Sequence, residues 1–430
     1  MSHVDGPRIY GLFYPLLGGI ERWLHHLARI RDMGFNWIHL NPIHYPGFSG
    51  SLYAVKDYYR LNPTITPETD PDPWGTLRSF VLAAKRQGLR VLLDLVVNHT
   101  SKDSVLVTEH PEWFVRGEDG GLVSPFAIDP ADARKKTVWG DLAEMDYSSS
   151  RHREELWSYM KELTLWLLNQ GVGGFRCDAA YKLPWCFWAY IMDEARLMDP
   201  HVIFVAETLG CRLEEALALC PAGFDFFLSS SKWWDFRGPW CLEQYETFRH
   251  VAPSVSFPET HDTPRLAMET GGDPRHARLR YLFAAFFSAG VFMPLGFEYG
   301  FRKQLDVVKS RPDDWEEPGY DITAFIREVN VVKAGCHSLN ADGPIRSLEV
   351  PGPAVVLFKG SDVGDNGVLA LLNPDEGVSA TVRLSDLPEW IRQRPGGLCE
   401  MTPGARGEAF PEVLSLDPLE MRLFEYAGER

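Results

Sequence analysis

Gly173-Gly174-Phe175-Arg176-Cys177-Asp178-Ala179-Ala180 is the stretch on which the reading of this chain turns. Read as a strand, its side chains switch faces at every step, so Arg176 and Asp178 share one face while Phe175 and Cys177 share the other. A cation fixed beside a carboxylate lowers its pKa, and the expectation is an ionised Asp178 able to act as a nucleophile. Glu207 closes the apolar run Val202-Ile203-Phe204-Val205-Ala206, where an anionic neighbour would raise its pKa toward that of a general acid. Asp94-Leu95-Val96-Val97-Asn98-His99 and His261-Asp262 are the other stretches expected to converge there. One carboxylate that attacks and one that protonates is the division of labour in retaining glycoside hydrolysis, with the two groups roughly 5 Å apart.

Outward from this strand, apolar runs alternate with helical stretches through three quarters of the chain, the pattern of β/α units around a parallel sheet. Eight such runs stand at 8–13, 37–40, 91–96, 174–177, 203–206, 224–228, 255–257 and 291–295. They predict the α/β class and a single (β/α)8 TIM barrel. Every candidate catalytic residue falls at or just past a strand's C-terminal end, the face on which such barrels form their sites. The stretch 151–169 reads as a covering helix, because Leu156, Tyr159, Met160, Leu163 and Leu167 recur at three- and four-residue steps. Between 100 and 150 the alternation stops, and glycines at 117, 120 and 121 with several prolines mark an irregular excursion after the third strand. Beyond 338, short alternating segments at 354–359, 368–372, 380–384 and 421–426 read as an antiparallel β-sandwich. The expected domains are therefore a barrel over 1–99 and 151–337, an insertion over 100–150, and a C-terminal sandwich over 338–430.

At these residues the chain resembles the α-amylase superfamily, glycoside hydrolase family 13. DLVVNH at 94–99, GFRCDAA at 174–180, VAETLG at 205–210 and FPETHDTPR at 257–265 stand in the order of the family's four signature regions. GFNWIHLNPIHYPGFSGSLYAVKDYYRLNP at 34–63 extends the likeness, which covers about the first 330 residues. The resemblance implies that Asp178 is the nucleophile, Glu207 the acid/base, and Asp262 the carboxylate gripping sugar hydroxyls in the transition state. It implies sugar-binding roles for Tyr53, His99, Arg176 and His261, with Tyr53 stacking on the ring and Leu52 standing where the family has glycine. It makes the insertion a short B domain walling the cleft, and the sandwich the family's C-terminal domain. Many members bind calcium through an asparagine of the first region and acids of the B domain, which makes Asn98 and Asp141 candidate ligands. The second region continues Tyr181-Lys182-Leu183-Pro184, without the lysine-histidine pair of typical α-amylases.

Composition narrows the partners. A net charge of −16 argues against nucleic acid and anionic membranes, whose phosphates select basic patches, and suits a neutral α-glucan or maltooligosaccharide. The N-terminus lacks the pattern of a secretory leader and no stretch is long enough to span a bilayer, so the expectation is a cytoplasmic protein. Cysteines at 177, 186, 211, 220, 241, 336 and 399 have neither metal-site spacing nor a disulfide pattern, and read as reduced thiols. No cofactor is required by this chemistry.

Other residues have competing readings. Asp94 reads as a structural partner of Arg176, while His99 and His261 read as neutral binders of sugar hydroxyls. Trp233, Trp234, Phe236 and Trp240 follow the sixth strand and are either sugar platforms or core residues; Trp185 and Trp188 read as core. The leading functional expectation is amylase-like, retaining hydrolysis of α-1,4-glucans. The alternative is an α-glucanotransferase such as a maltosyltransferase. A non-catalytic carbohydrate-binding subunit would be expected to lose a carboxylate, and all three acids are present.

Overall fold

The computed structural model describes residues 6–129, 132–147, 151–361, 366–393 and 397–426. Strands β1 (Arg8–Gly11), β2 (Trp37–Leu40), β3 (Arg90–Leu95), β4 (Gly174–Cys177), β5 (Ile203–Ala206), β6 (Phe226–Leu228), β7 (Ser254–Ser256) and β8 (Gly290–Pro294) pair in sequential order and close a parallel barrel. Alternation sorts their side chains into two cores. Ile9, Trp37, Leu92, Ile203, Val205, Phe226, Val255 and Phe292 fill the interior. Tyr10, Ile38, Leu93, Phe175, Phe204, Phe227, Val291 and Met293 point outward into the core shared with the helices.

The covering helices bury one stripe each, as Ile20–Asp32 does with Ile20, Trp23, Leu27 and Ile30, and Arg153–Asn169 with Leu156, Met160, Leu163 and Leu167. After β5 the covering helix shrinks to Leu213–Leu217. No helix among the described residues is long and apolar enough to cross a membrane.

Three additions decorate the barrel. His44–Pro46 pairs with Val55–Leu61 as a hairpin after β2 that carries Tyr53 toward the strand ends. The excursion after β3 is more regular than expected: His99–Ser101 pairs with Leu142–Glu144, and Phe126–Asp129 with Asp132–Val138. Residues 148–150, at the end of the expected insertion, lie outside the described residues. Toward the C-terminus, Ile345–Leu348, Val355–Gly360, Gly367–Leu372, Met421–Tyr426 and Leu398–Glu400 form an antiparallel sheet in that order. Val356, Phe358, Leu369, Leu371 and Phe424 face a second ladder of Ala380–Arg383 with Val413–Leu416. Val355, Leu357, Val368, Ala370 and Leu423 on the other face join the core of the barrel's helices, so this sheet is buried on both sides.

Candidate active site

Strand register brings the charged groups together. Arg176 on β4 lies opposite Asp94 on β3 and Val205 on β5, so two residues further along the same inward face come Asp178 and Glu207. Arg176 donates to Asp178 Oδ1 at 2.7 Å and to Asp94 Oδ1 at 3.1 Å, and its Nη2 lies 3.9 Å from Glu207 Oε2. One buried guanidinium thus meets three buried carboxylates.

Backbone amides fix Glu207. The Ala179 N–H donates to Oε2 at 2.7 Å and the Leu209 N–H to Oε1 at 2.9 Å. Ala179 makes its contact from a left-handed conformation, φ 41° and ψ 48°, which costs a residue with a β-carbon roughly 1–2 kcal/mol. Strain directly after the strand therefore orients the second carboxylate.

The expected depression of the Asp178 pKa is overturned. Burial raises this carboxyl above the usual range, outweighing the opposing pull of Arg176. Glu207 is pushed up to about 7, first by burial, with Arg176 opposing and Asp178 and Asp262 adding to the rise. Asp94 goes the other way: against the burial that raises it, Arg176 and then His39 hold it below the usual carboxylate range. Because Arg176 approaches Asp178 more closely than Glu207, the first proton taken up by this pair goes to Glu207.

Tyr53 joins the sides of the site. Its hydroxyl donates to Asp94 Oδ2 at 2.5 Å, lies 2.8 Å from His261 Nε2, and accepts from Asn41 Nδ2 at 3.1 Å. A phenol has one proton and Asp94 takes it, so His261 meets the oxygen as an Nε2–H donor. Burial lowers the His261 pKa, as it does that of His99, so both rings work neutral, as expected. His99 Nε2 donates to the Tyr53 carbonyl at 3.1 Å, leaving Nδ1 as an acceptor. That Nδ1 and Asn98 Oδ1 are buried without a hydrogen-bond partner, two acceptors suited to hydroxyl donors. Leu52 is buried and donates its N–H to the Val307 carbonyl at 3.2 Å.

Asp262 lies on the loop after β7, its side chain 59% exposed and Oδ2 3.0 Å from His261 Nε2. Two residues of the same loop went unread in the sequence. Arg265 donates to Glu259 Oε1 at 2.7 Å and to the Leu295 carbonyl at 2.7 Å, and Glu259 Oε2 accepts from the Leu266 N–H at 2.6 Å. The signal was an acid and an arginine bracketing Thr-His-Asp-Thr, and this buried pair fixes the loop that carries Asp262.

The calcium expectation finds no common point. The Asn98 carbonyl accepts from the Met145 N–H, whereas the Asp141 carbonyl accepts from the Lys102 N–H. The two residues therefore pair at different levels of the ladder formed by His99–Ser101 with Leu142–Glu144.

The aromatic residues divide. Trp233 is 52% exposed at the rim, its ring 6.1 Å from Phe257, and Trp240 is 40% exposed. Trp234 and Phe236 are core instead, packed on Phe283 of the helix Pro274–Phe287. Trp188 is buried, donating to the Ala180 carbonyl at 2.9 Å. Trp185, expected in the core, is exposed at the first position of its helix, off the face made by Phe187, Trp188, Ile191 and Met192. All seven cysteines are free thiols.

One hairpin, Phe126–Asp129 with Asp132–Val138, carries a basic run in this acidic chain. Lys182, four residues past Asp178, donates to the Phe126 carbonyl at 3.1 Å, and Lys136 Nζ lies 3.8 Å from the centre of the Phe126 ring. Arg134, Lys135 and Lys136 are exposed along the same hairpin.

The family model for the glucanotransferase domain of glycogen debranching enzyme matches residues 4–117. An alpha-1,4-glucan:maltose-1-phosphate maltosyltransferase of Burkholderia pseudomallei is 26% identical over 96% of this chain and 37% of its own length. One of the same name from Myxococcus xanthus is 28% identical over 90% of this chain and 60% of its own. This chain thus spans between about a third and three fifths of those relatives. The crystal structure of an α-amylase from Lactobacillus plantarum superposes with a TM-score of 0.77 at 22% identity, covering 99% of this chain and all of that one.

Proposed function

From the premise that this chain belongs to the α-amylase superfamily, we propose that it is a retaining glycosyl-transfer enzyme, moving an α-linked maltosyl unit onto an α-1,4-glucan. Asp178 attacks the anomeric carbon as the bond to the leaving oxygen breaks, and Glu207 gives that oxygen its proton. In the second half Glu207, now ionised, takes the proton of an acceptor hydroxyl whose oxygen displaces Asp178. Two inversions leave the α configuration. Asp262, with His261 and His99, holds the sugar hydroxyls, and Arg176 steadies the charge on Asp178.

The observation that carries transfer over hydrolysis is the likeness, along nearly the whole chain, to relatives named for maltosyl transfer. The basic hairpin supports an anionic donor such as maltose 1-phosphate, because Lys136 and Lys182, the latter four residues past Asp178, both meet Phe126. Amylase-like hydrolysis, the leading expectation from sequence, is the second reading and differs only in water replacing the acceptor. Incubation with maltose 1-phosphate and maltohexaose tests the choice. Phosphate release matched by chains longer by two glucose units is expected. A rising reducing-end count from maltohexaose, without phosphate release, would establish hydrolysis instead.

A further inference from the structure

Two histidines and two glutamates meet where the insertion leaves β3 and where it returns to the barrel. Glu112 lies in the short turn Pro111–Trp113, and Glu155 opens the helix Arg153–Asn169 with His152 just before it. One ligand atom each from Glu112, His152 and Glu155 falls within 4.8 Å of the other two. His152 Nδ1 is 3.3 Å from Glu155 Oε2, and His110 Nδ1 is 3.3 Å from Glu112 Oε1. These separations are long for a charge-assisted hydrogen bond, which closes to about 2.7–2.9 Å. The His152–Glu155 separation matches the edge of a metal tetrahedron, since ligands at about 2.0–2.1 Å from a shared ion stand roughly 3.3–3.4 Å apart.

The scaffold beneath is rigid. The His110 ring stacks on Trp113 at 3.8 Å and 4°, Trp113 is buried, and its ring packs 5.4 Å from Tyr159 of the helix. The Trp113 carbonyl accepts from the Asp146 N–H at 2.8 Å, tying the two ends of the insertion together at this level.

We propose that Glu112, His152 and Glu155 bind one divalent zinc ion, water filling the fourth position and His110 orienting the Glu112 carboxylate. An imidazole with two carboxylates selects a borderline ion over calcium, which prefers oxygen alone. The ion joins residues far apart in sequence, closing the 113–151 segment into a loop that holds the basic hairpin in place.

Isothermal titration of zinc chloride into the full chain, freed of metal by chelation and dialysis, tests this. One ion per chain with Kd below about 100 µM is expected, with at least 10-fold weaker binding in each of His152→Ala and Glu155→Gln. Both side chains are partly or largely exposed, and circular dichroism verifies that each variant is folded. Cobalt in place of zinc should give a tetrahedral visible spectrum without thiolate charge transfer, which separates this site from the free cysteines. A Kd above about 100 µM, affinity unchanged in both variants, or a thiolate band would overturn the proposal.

Discussion

Two clusters of buried charge occupy opposite ends of this barrel, and the difference between them separates chemistry from architecture. At the N-terminal end, Lys333 donates to the carbonyls of Ala285, Ser288 and Leu339, and Lys359 to those of Phe286 and Phe287. Both ammonium groups cap the C-terminus of the helix Pro274–Phe287, the negative end of its dipole. Asp342 accepts from Ser254 and from the Ala289 N–H and lies 4.0 Å from Lys359. Lys359 belongs to the C-terminal sheet, so this cluster bolts that sheet to the barrel. At the C-terminal end the same low dielectric holds groups that are incompletely matched: Asp178 and Glu207 compete for one guanidinium, and Asn98 Oδ1 and His99 Nδ1 are buried without a hydrogen-bond partner. The first cluster gives each lysine carbonyl acceptors and joins two parts of the chain; the second leaves two carboxylates competing for one cation, the condition in which buried groups are poised to react.

The sharpest way to break this contrast is to delete one charge at each end. Asp178→Asn should lower turnover by about 10⁴-fold or more while leaving the fold intact, read by activity beside circular dichroism. Lys333→Met should do the reverse, leaving kcat per folded molecule unchanged and lowering stability by about 1–3 kcal/mol in urea unfolding, because three buried carbonyls lose their donor. Turnover lost equally in both would erase the distinction.

Glu207→Gln should cost about 10²–10⁴-fold on a glucan donor, whose leaving oxygen needs a proton, and far less on maltosyl fluoride. Equal losses on the two donors would remove Glu207 from the role of acid.

The pH dependences should slope in opposite directions. The folded pKa of Glu207, about 7, lies above its ordinary 4.5, so its contribution to stability is complete below 4.5 and is lost as pH rises through 7. Activity on glucan should fall over the alkaline side of the same window, and Glu207→Gln should flatten the loss of stability. Burial lowers Lys359 to about 8 from 10.5, so the unfolded chain holds more protons between those values and stability gains as pH rises across them. Urea unfolding of each variant against the wild type, at half-unit steps of pH, measures both slopes.

The smallest effect sharpens the boundary of the catalytic cluster. Tyr53→Phe removes the hydrogen bond to Asp94 and the contact with His261, and kcat/KM should fall about 10–100-fold, equivalent to about 1–3 kcal/mol. A fall in thermal stability alone would move Tyr53 to the architectural side.

The sequence made the C-terminal end legible because Arg176 and Asp94 lie on strands and Asp178 and Glu207 directly follow them, so alternation puts Arg176 and Asp178 on one face and register then adds Asp94. The pKa of Asp178 was misjudged because a neighbouring cation is visible in a sequence and the depth of burial is not. Trp234 and Phe236 stayed undecided between platform and core for a related reason: their partner Phe283 lies in a later helix, and nothing local says which way the turn Ser230–Trp233 points them. The N-terminal cluster was illegible throughout. Lys333 and Lys359 look like surface residues until distant segments bring carbonyl groups to them, and backbone carbonyls carry no sequence signature.

If Asp178 forms the covalent bond to the sugar, that bond can be trapped on it. The chain should be treated with a 5-fluoro maltosyl fluoride, whose electron-poor ring slows release of the enzyme-bound sugar more than its formation. Intact mass should rise by one fluoromaltosyl group, and peptide sequencing should place the label on Asp178. A label on Glu207 or Asp262, or turnover of the reagent without any label, would contradict it.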